Sequence, residues 1–164
     1  MSTLEVKAIQ APSGYKLAMP AGHILQVIEG SLSTKVQTTA TSATDTGLSA
    51  TITPSSSSNK VLVRADFHAY DNTASHNNII YLKRGSVFIG NSGTADSFTI
   101  AHCGLDGRDG SFAVSVLDSP NTTSAITYKI QFHSENATDT AIFNDVANGT
   151  TIPRAVITLM EVAG

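Results

Sequence analysis

The side chains best able to ligate a metal or move a proton near neutral pH are five histidines: His23, His68, His76, His102 and His133. None stands in an H-x-H or H-E-x-x-H spacing, so a zinc site within one chain is poorly supported. His68 and His133 fall on the strand positions opposite the apolar residues. In a trimer, three copies of one such histidine could meet on the axis around a metal or anion. The plainer reading is an exposed or intersubunit histidine, and no residue is assigned as a metal ligand. Cys103 is the one cysteine, which excludes an intrachain disulfide and suits a small buried apolar side chain; His102 beside it is a weak sign of a reactive thiol.

Other chemistry is equally thin. Asp106-Gly107-Arg108-Asp109-Gly110 offers two carboxylates but departs from the D-x-[DN]-x-[DN]-G calcium loop, so it reads as a turn or a partner-contacting loop. No G-x-S-x-G is present, and the adjacency of Ser75 and His76 means little because triads form in space. Glu5, Glu29, Glu135 and Glu161 are the only glutamates, and two of them could act as a glycosidase pair only if the fold brought them together. The chain reads as a non-enzyme with no cofactor. The most serious recognition cluster is the set Tyr70, Asn72, His76, Asn77 and Asn78, which could combine ring stacking with hydrogen bonds to a host-surface glycan if exposed on one loop. A solvated Asn-rich turn is the simpler alternative.

Composition narrows the class. The chain has 164 residues, of which 14% are charged, and a net charge of −3. That length suits one domain that needs no disulfide staple. Lys83-Arg84 is the only adjacent basic pair, and a basic stripe for nucleic acid is missing. No run approaches the ~20 apolar residues of a membrane span, and residues near the start lack the apolar core of a secretory signal. The expectation is a protein made in a host cytoplasm that leaves without such a signal, as inside a virus particle. Asn121, Asn136 and Asn148 fit N-x-S/T, which is a chance product of a Thr-rich chain when no signal is present. Ser and Thr make up about a quarter of the residues, and Thr favours strands while Ser favours turns.

These residues must be positioned by strands. Thr44–Tyr70 reads TDTGLSATITPSSSSNKVLVRADFHAY: two alternating runs flank a polar tract, Pro54–Asn59, expected to be a hairpin tip. Val61, Val63, Ala65, Phe67 and Ala69 share one face, while Leu62, Arg64, Asp66, His68 and Tyr70 share the other. Further strands are expected at Leu4–Ile9, His23–Glu29, within Ser31–Asp45, Ile79–Arg84 with Ser86–Gly90, Ser97–Cys103, Ser111–Leu117, Ala125–His133, Ala141–Val146 and Arg154–Val162. About ten short strands without a sustained 3.6 period imply an all-β chain: an antiparallel β-sandwich of jelly-roll type. Residues 1–22, with two prolines and weak periodicity, read as an extended N-terminal arm for attachment, and 23–164 as the sandwich domain. The closing strand is apolar on both faces, which places Val156 and Met160, with His68 and His133, as candidate interface residues.

Six stretches, STLEVKAIQAPSG, LAMPAGHILQV, TDTGLSATITPSSSSNKVLV, YLKRGSVFIG, AITYKIQF and AVITLMEVAG, carry a resemblance. In order and over most of the chain, the sequence resembles small virion structural proteins of tailed bacteriophages, especially phages of marine and freshwater bacteria. Such proteins are tail-fibre, head-fibre or capsid-decoration components. The resemblance implies a jelly-roll head like those of tumour-necrosis-factor-like and C1q-like trimeric modules. It implies a homotrimer that contacts other virion proteins, with a receptor-binding, glycan-recognising head as the alternative. The chain departs from long fibre proteins in having no extended shaft. It carries no motif for nucleic acid or membrane insertion.

Overall fold

A computed structural model describes residues 19–72, 77–90, 99–103, 110–146 and 152–164, with the backbone alone for 99–103. Its elements are strands: β1 (Ile24–Leu32), β2 (Val36–Thr38), β3 (Thr44–Ile52), β4 (Lys60–Asp71), β5 (Asn78–Arg84), β6 (Val87–Ile89), β7 (Thr99–Cys103), β8 (Gly110–Asp118), β9 (Ile126–Ser134), β10 (Ala141–Phe143) and β11 (Ala155–Val162). They form two antiparallel sheets packed as a β-sandwich. Sheet A runs β1-β11-β4-β10-β2 with β8 on the other side of β4; sheet B runs β3-β9-β5-β6 with β7 also on β5. The expected all-β sandwich is therefore the fold. The strand expected at Leu4–Ile9, and most of the arm, lie outside the described residues.

Alternation explains the layers. β4 and β11 each point every second side chain inward. Val61, Val63, Ala65, Phe67 and Ala69 from β4 meet Ala155, Ile157 and Leu159 from β11, and all are buried. Leu48 and Ile52 from β3, Ile80 and Leu82 from β5, and Tyr128, Ile130 and Phe132 from β9 complete the core from sheet B. Each such Val, Leu, Ile or Phe side chain contributes about 1.5–3 kcal/mol through removal from water. A ladder of rings crosses the layers, with Phe132 at 5.9 Å from Phe143, Phe143 at 5.1 Å from Phe67 and Phe67 at 5.6 Å from Phe112. Gly30 on β1 is glycine because a Cβ there would land on the carbonyl oxygen of Ser49 in β3.

The tract Pro54–Asn59 is not a hairpin tip. β3 pairs with β9 in sheet B, whereas β4 pairs with β11, β10 and β8 in sheet A, so the tract is an arch from one sheet to the other. The carboxylate of Glu161, which is 1% exposed and points inward from β11, fastens the arch. It accepts from Ser55 N at 2.6 Å, Ser55 Oγ at 2.8 Å, Asn59 Nδ2 at 2.6 Å and Gln26 Nε2 at 2.6 Å. Although charged, Glu161 occupies an inward position of β11, in line with Ala155, Ile157 and Leu159. Beside it, Arg84 of sheet B grips Asp118 of sheet A at 2.7 and 2.9 Å, and the Tyr128 hydroxyl donates to the same carboxylate at 2.7 Å. Burial first, then the Asp118 carboxylate, pushes the Tyr128 phenol well above its ordinary value.

Burial alone would raise the Glu161 carboxyl, but its four donors outweigh this and hold it below the ordinary glutamate value. A depressed folded-state value stabilises the fold above the unfolded pKa of about 4.3, and that stability disappears as pH falls through the folded value. Glu161→Gln replaces an acceptor oxygen with a donor facing donors. Chemical denaturation at neutral pH should show a loss of about 1–3 kcal/mol, and the acid limb of the variant's melting temperature against pH should be flatter than that of the wild type.

Candidate functional site

Two surfaces bear on function: the loop end of the sandwich, and the outer face of sheet A. β4 connects them, since it starts at the arch and delivers Tyr70, Asp71 and Asn72 to the opposite end about 40 Å away.

At the loop end the expected exposed cluster does not form. Tyr70 is 8% exposed, and its hydroxyl donates to Asp145 Oδ2 at 3.1 Å. Asn78 is fully buried, its amide donating to the carbonyls of Ile142 at 2.9 Å and Tyr70 at 3.3 Å. The physical reason is shared: both are strand-end residues whose polar groups tie β10 to β4 and β5. Asn72 is exposed, but its Oδ1 accepts from Thr140 N at 2.7 Å. Asn77 donates through Nδ2 to Glu135 Oε2 at 2.8 Å. His76 lies outside the described residues, as does the 106–109 part of the Asp-Gly-Arg-Asp-Gly run. These asparagines brace loops against one another.

The neighbouring polar cluster was not foreseen. Asn144 adopts φ 57°, a left-handed conformation that asparagine tolerates. Its Nδ2 donates to the carbonyls of Leu32 and Thr34, and its N–H donates to His68 O at 2.7 Å. That turn seats Asp145, 3% exposed, against Lys35 Nζ at 2.8 Å. Burial pushes the Asp145 carboxyl up; the Lys35 ammonium and the Tyr70 hydroxyl outweigh it and hold the group below the usual carboxylate range. The Asp145 hydrogen bond in turn raises Lys35. An Asn-Asp pair in a loop after a short apolar run is the signal that could have suggested a left-handed turn with a buried acid.

The outer face of sheet A collects three of the four expected interface residues, His68 from β4 with Val156 and Met160 from β11. His133 is on β9 of sheet B, where its ring stacks on Tyr81 at 5.4 Å, so it faces the other side of the sandwich. The register lines up a cross-strand apolar row: Val27 opposite Met160, Met160 opposite Leu62, Leu62 opposite Leu117. Ile24 and Val162 form the adjacent pair. Val27, Leu117 and Ile24 are 55%, 54% and 56% exposed, high for large aliphatic side chains. Above the row, Arg64 binds Asp66 through two bonds of 2.9 Å, and Arg154 binds Glu29. The Arg64 guanidinium holds the Asp66 carboxyl below its ordinary value.

Beyond these ion pairs a cleft of about 250 Å³ is lined by Asp66, His68, Ser111, Phe112, Pro153 and Arg154. The Ser111 hydroxyl lies 3.1 Å from His68 Nε2. Asp66, the carboxylate nearest this pair in the strand register, is held by Arg64 and so does not orient the imidazole as a triad acid would. Among the described residues, no three His, Cys, Asp or Glu side chains converge as metal ligands. Comparison with protein-family models and with curated proteins returns no match.

Tyr70→Phe should lower stability by about 1 kcal/mol, and Asp145→Ala by about 1–3 kcal/mol, because the latter leaves a buried hydroxyl and an ammonium without their acceptor. Urea denaturation at neutral pH reads both. The Asp145→Ala deficit should shrink as pH falls below the usual aspartate range, where the wild type loses the same charge.

Proposed function

We propose that this chain is a structural component of a bacteriophage particle, of the fibre or capsid-decoration kind, working as a homotrimer of jelly-roll heads attached through residues 1–22. The stretches quoted above support the phage reading, and the trimer is the stoichiometry they imply. The observation that carries self-assembly is the apolar row on the outer face of sheet A. Monomers seldom expose contiguous apolar area beyond a few hundred Å². The row Val27–Met160–Leu62–Leu117, extended by Ile24 and Val162, is continuous across four strands. Of the charges next to it, Glu29 and Arg154, and Arg64 and Asp66, are paired within the face, and Lys60 opposite Val162 leaves a net charge of only +1. Such a face attracts neither a strongly acidic nor a strongly basic partner and does not repel a copy of itself.

One observation favours a second reading, a receptor-binding head for host-surface glycan. The cleft beside His68 combines acceptors, donors and a ring on an open surface, the mixture a sugar requires. It replaces the Tyr70–Asn78 set as the place to look. Reproducible glycan-array binding that disappears in His68→Ala would support this reading, and an array without hits would remove it.

Two measurements test the structural proposal. Antibody labelling of purified phage particles should mark the capsid or fibres, and particles that lack the chain would overturn it. In sedimentation at micromolar concentration the wild type should run as a trimer. Leu62→Glu with Met160→Lys, which sets opposite charges on directly paired positions, should abolish the trimer while leaving the melting temperature within a few degrees, since both side chains lie on the outer face. A well-folded wild-type monomer would refute self-assembly.

A further inference from the structure

β8 pairs with β4 over nine consecutive positions, Gly110 opposite Ala69 through Asp118 opposite Val61, without a bulge. Among the described residues no strand pairs with its other edge. An open edge presents backbone N–H and C=O groups that another strand can take up, and sheets usually blunt it with lysine, proline, a bulge or shortness. β8, GSFAVSVLD, has none of these. Its one charge, Asp118, is already engaged by Arg84 and Tyr128. The other long edge strands are blunted. β1 carries a register shift between Ile24 and Gln26, and β3 shifts register between Asp45 and Ser49 around Gly47 at φ 87°. β2 and β6 are three residues long.

The inward side of β8 is incomplete. Phe112, Val114 and Val116 point toward the core but are only half-buried, whereas their β4 partners Phe67, Ala65 and Val63 are buried. Among the described residues, no strand gives these side chains a neighbour on the open side.

The sequence of β8 also complements itself. Antiparallel pairing with the same strand of a second copy, about a two-fold axis at Val114, sets Phe112 opposite Val116 and Val114 opposite its own counterpart. Ala113 then faces Ser115, Ser111 faces Leu117, and Asp118 faces Gly110. Aromatic and β-branched residues make favourable cross-strand pairs, and no like charges meet. Each copy would supply the missing neighbour to the other's half-buried trio.

We propose that β8 is a strand-pairing edge for a second copy of this chain, which joins the two A sheets into one continuous sheet. The contact is isologous and uses the edge of the sheet rather than its outer face. It is thus separate from the trimer contact, and in a trimer it would link protomers of neighbouring trimers.

The test starts from the face variant, Leu62→Glu with Met160→Lys, which should sediment as a dimer at high micromolar concentration. Adding Ala113→Lys and Ser115→Lys sets lysines opposite lysines at two symmetry-related places and should weaken the dimer about tenfold or more. Ala113→Lys with Ser115→Glu sets opposite charges there and should restore it. Amide exchange on the wild type gives an arm that needs no variant: protection of alternate β8 amides should rise with protein concentration. A monomeric face variant, a di-lysine variant that still dimerises, a charge swap that fails to rescue, or concentration-independent β8 protection would each overturn the proposal. A wild-type dimer with nothing larger would set aside the trimer and leave β8 pairing standing. Trimers that never associate further would do the reverse.

Discussion

The carboxylate of Glu161 is the constraint on which much of the sandwich depends. A charged group inside a protein must be given donors, or it is neutralised or excluded. Glu161 is given four, one from β1 and three from the two ends of the arch. The first described strand, the crossing between sheets and the last strand therefore converge on two oxygen atoms. Asn59, which donates to this carboxylate, also accepts from Gly164 N, so the end of the chain joins the same network. Taking the charge away would loosen three connections at once.

The rest of the architecture repeats this division between apolar middle and polar ends. The centre is held by aliphatic and aromatic side chains without directional preference. Each end is held by groups that must meet in a fixed geometry: Glu161 and the Arg84–Asp118–Tyr128 triangle at one, Tyr70–Asp145–Lys35 and the Asn78 amide at the other. Apolar layers alone tolerate slippage. Polar contacts at the ends define which strand lies where, as expected if burying polar groups favours one arrangement over its neighbours.

The strand faces were legible because alternation is a local property. Val61 through Ala69 declared the inward side of β4, and Ile130 and Phe132 that of β9, with no need of a partner strand. Pairing was not legible. Thr44–Ile52 and Lys60–Asp71 look like a hairpin in sequence, but each finds its partners in a different sheet, and the four donors around Glu161 fasten the crossing. Tyr70 and Asn78 were misplaced for a related reason. Polar residues at strand ends resemble exposed loop residues until their acceptors, Asp145 and the Ile142 carbonyl, arrive from distant segments. His133 was assigned with His68 because both oppose apolar residues in their strands, but opposing the core is compatible with either outer face of a sandwich. The apolar row on sheet A could be found only after register set Val27, Met160, Leu62 and Leu117 side by side.

The arch between β3 and β4 bears on how the chain reaches this state. Because these strands do not pair with each other, β4 waits for β8, β10 and β11, and β1 waits for β11, more than a hundred residues later. Contacts of that sequence separation must close long loops before they are rewarded, which slows folding. During synthesis sheet A cannot close until its final strand has left the ribosome. Nascent chains would carry β4 unpaired until β8 emerges and β1 unpaired until β11 emerges, and that interval is when high expression would favour aggregation over folding.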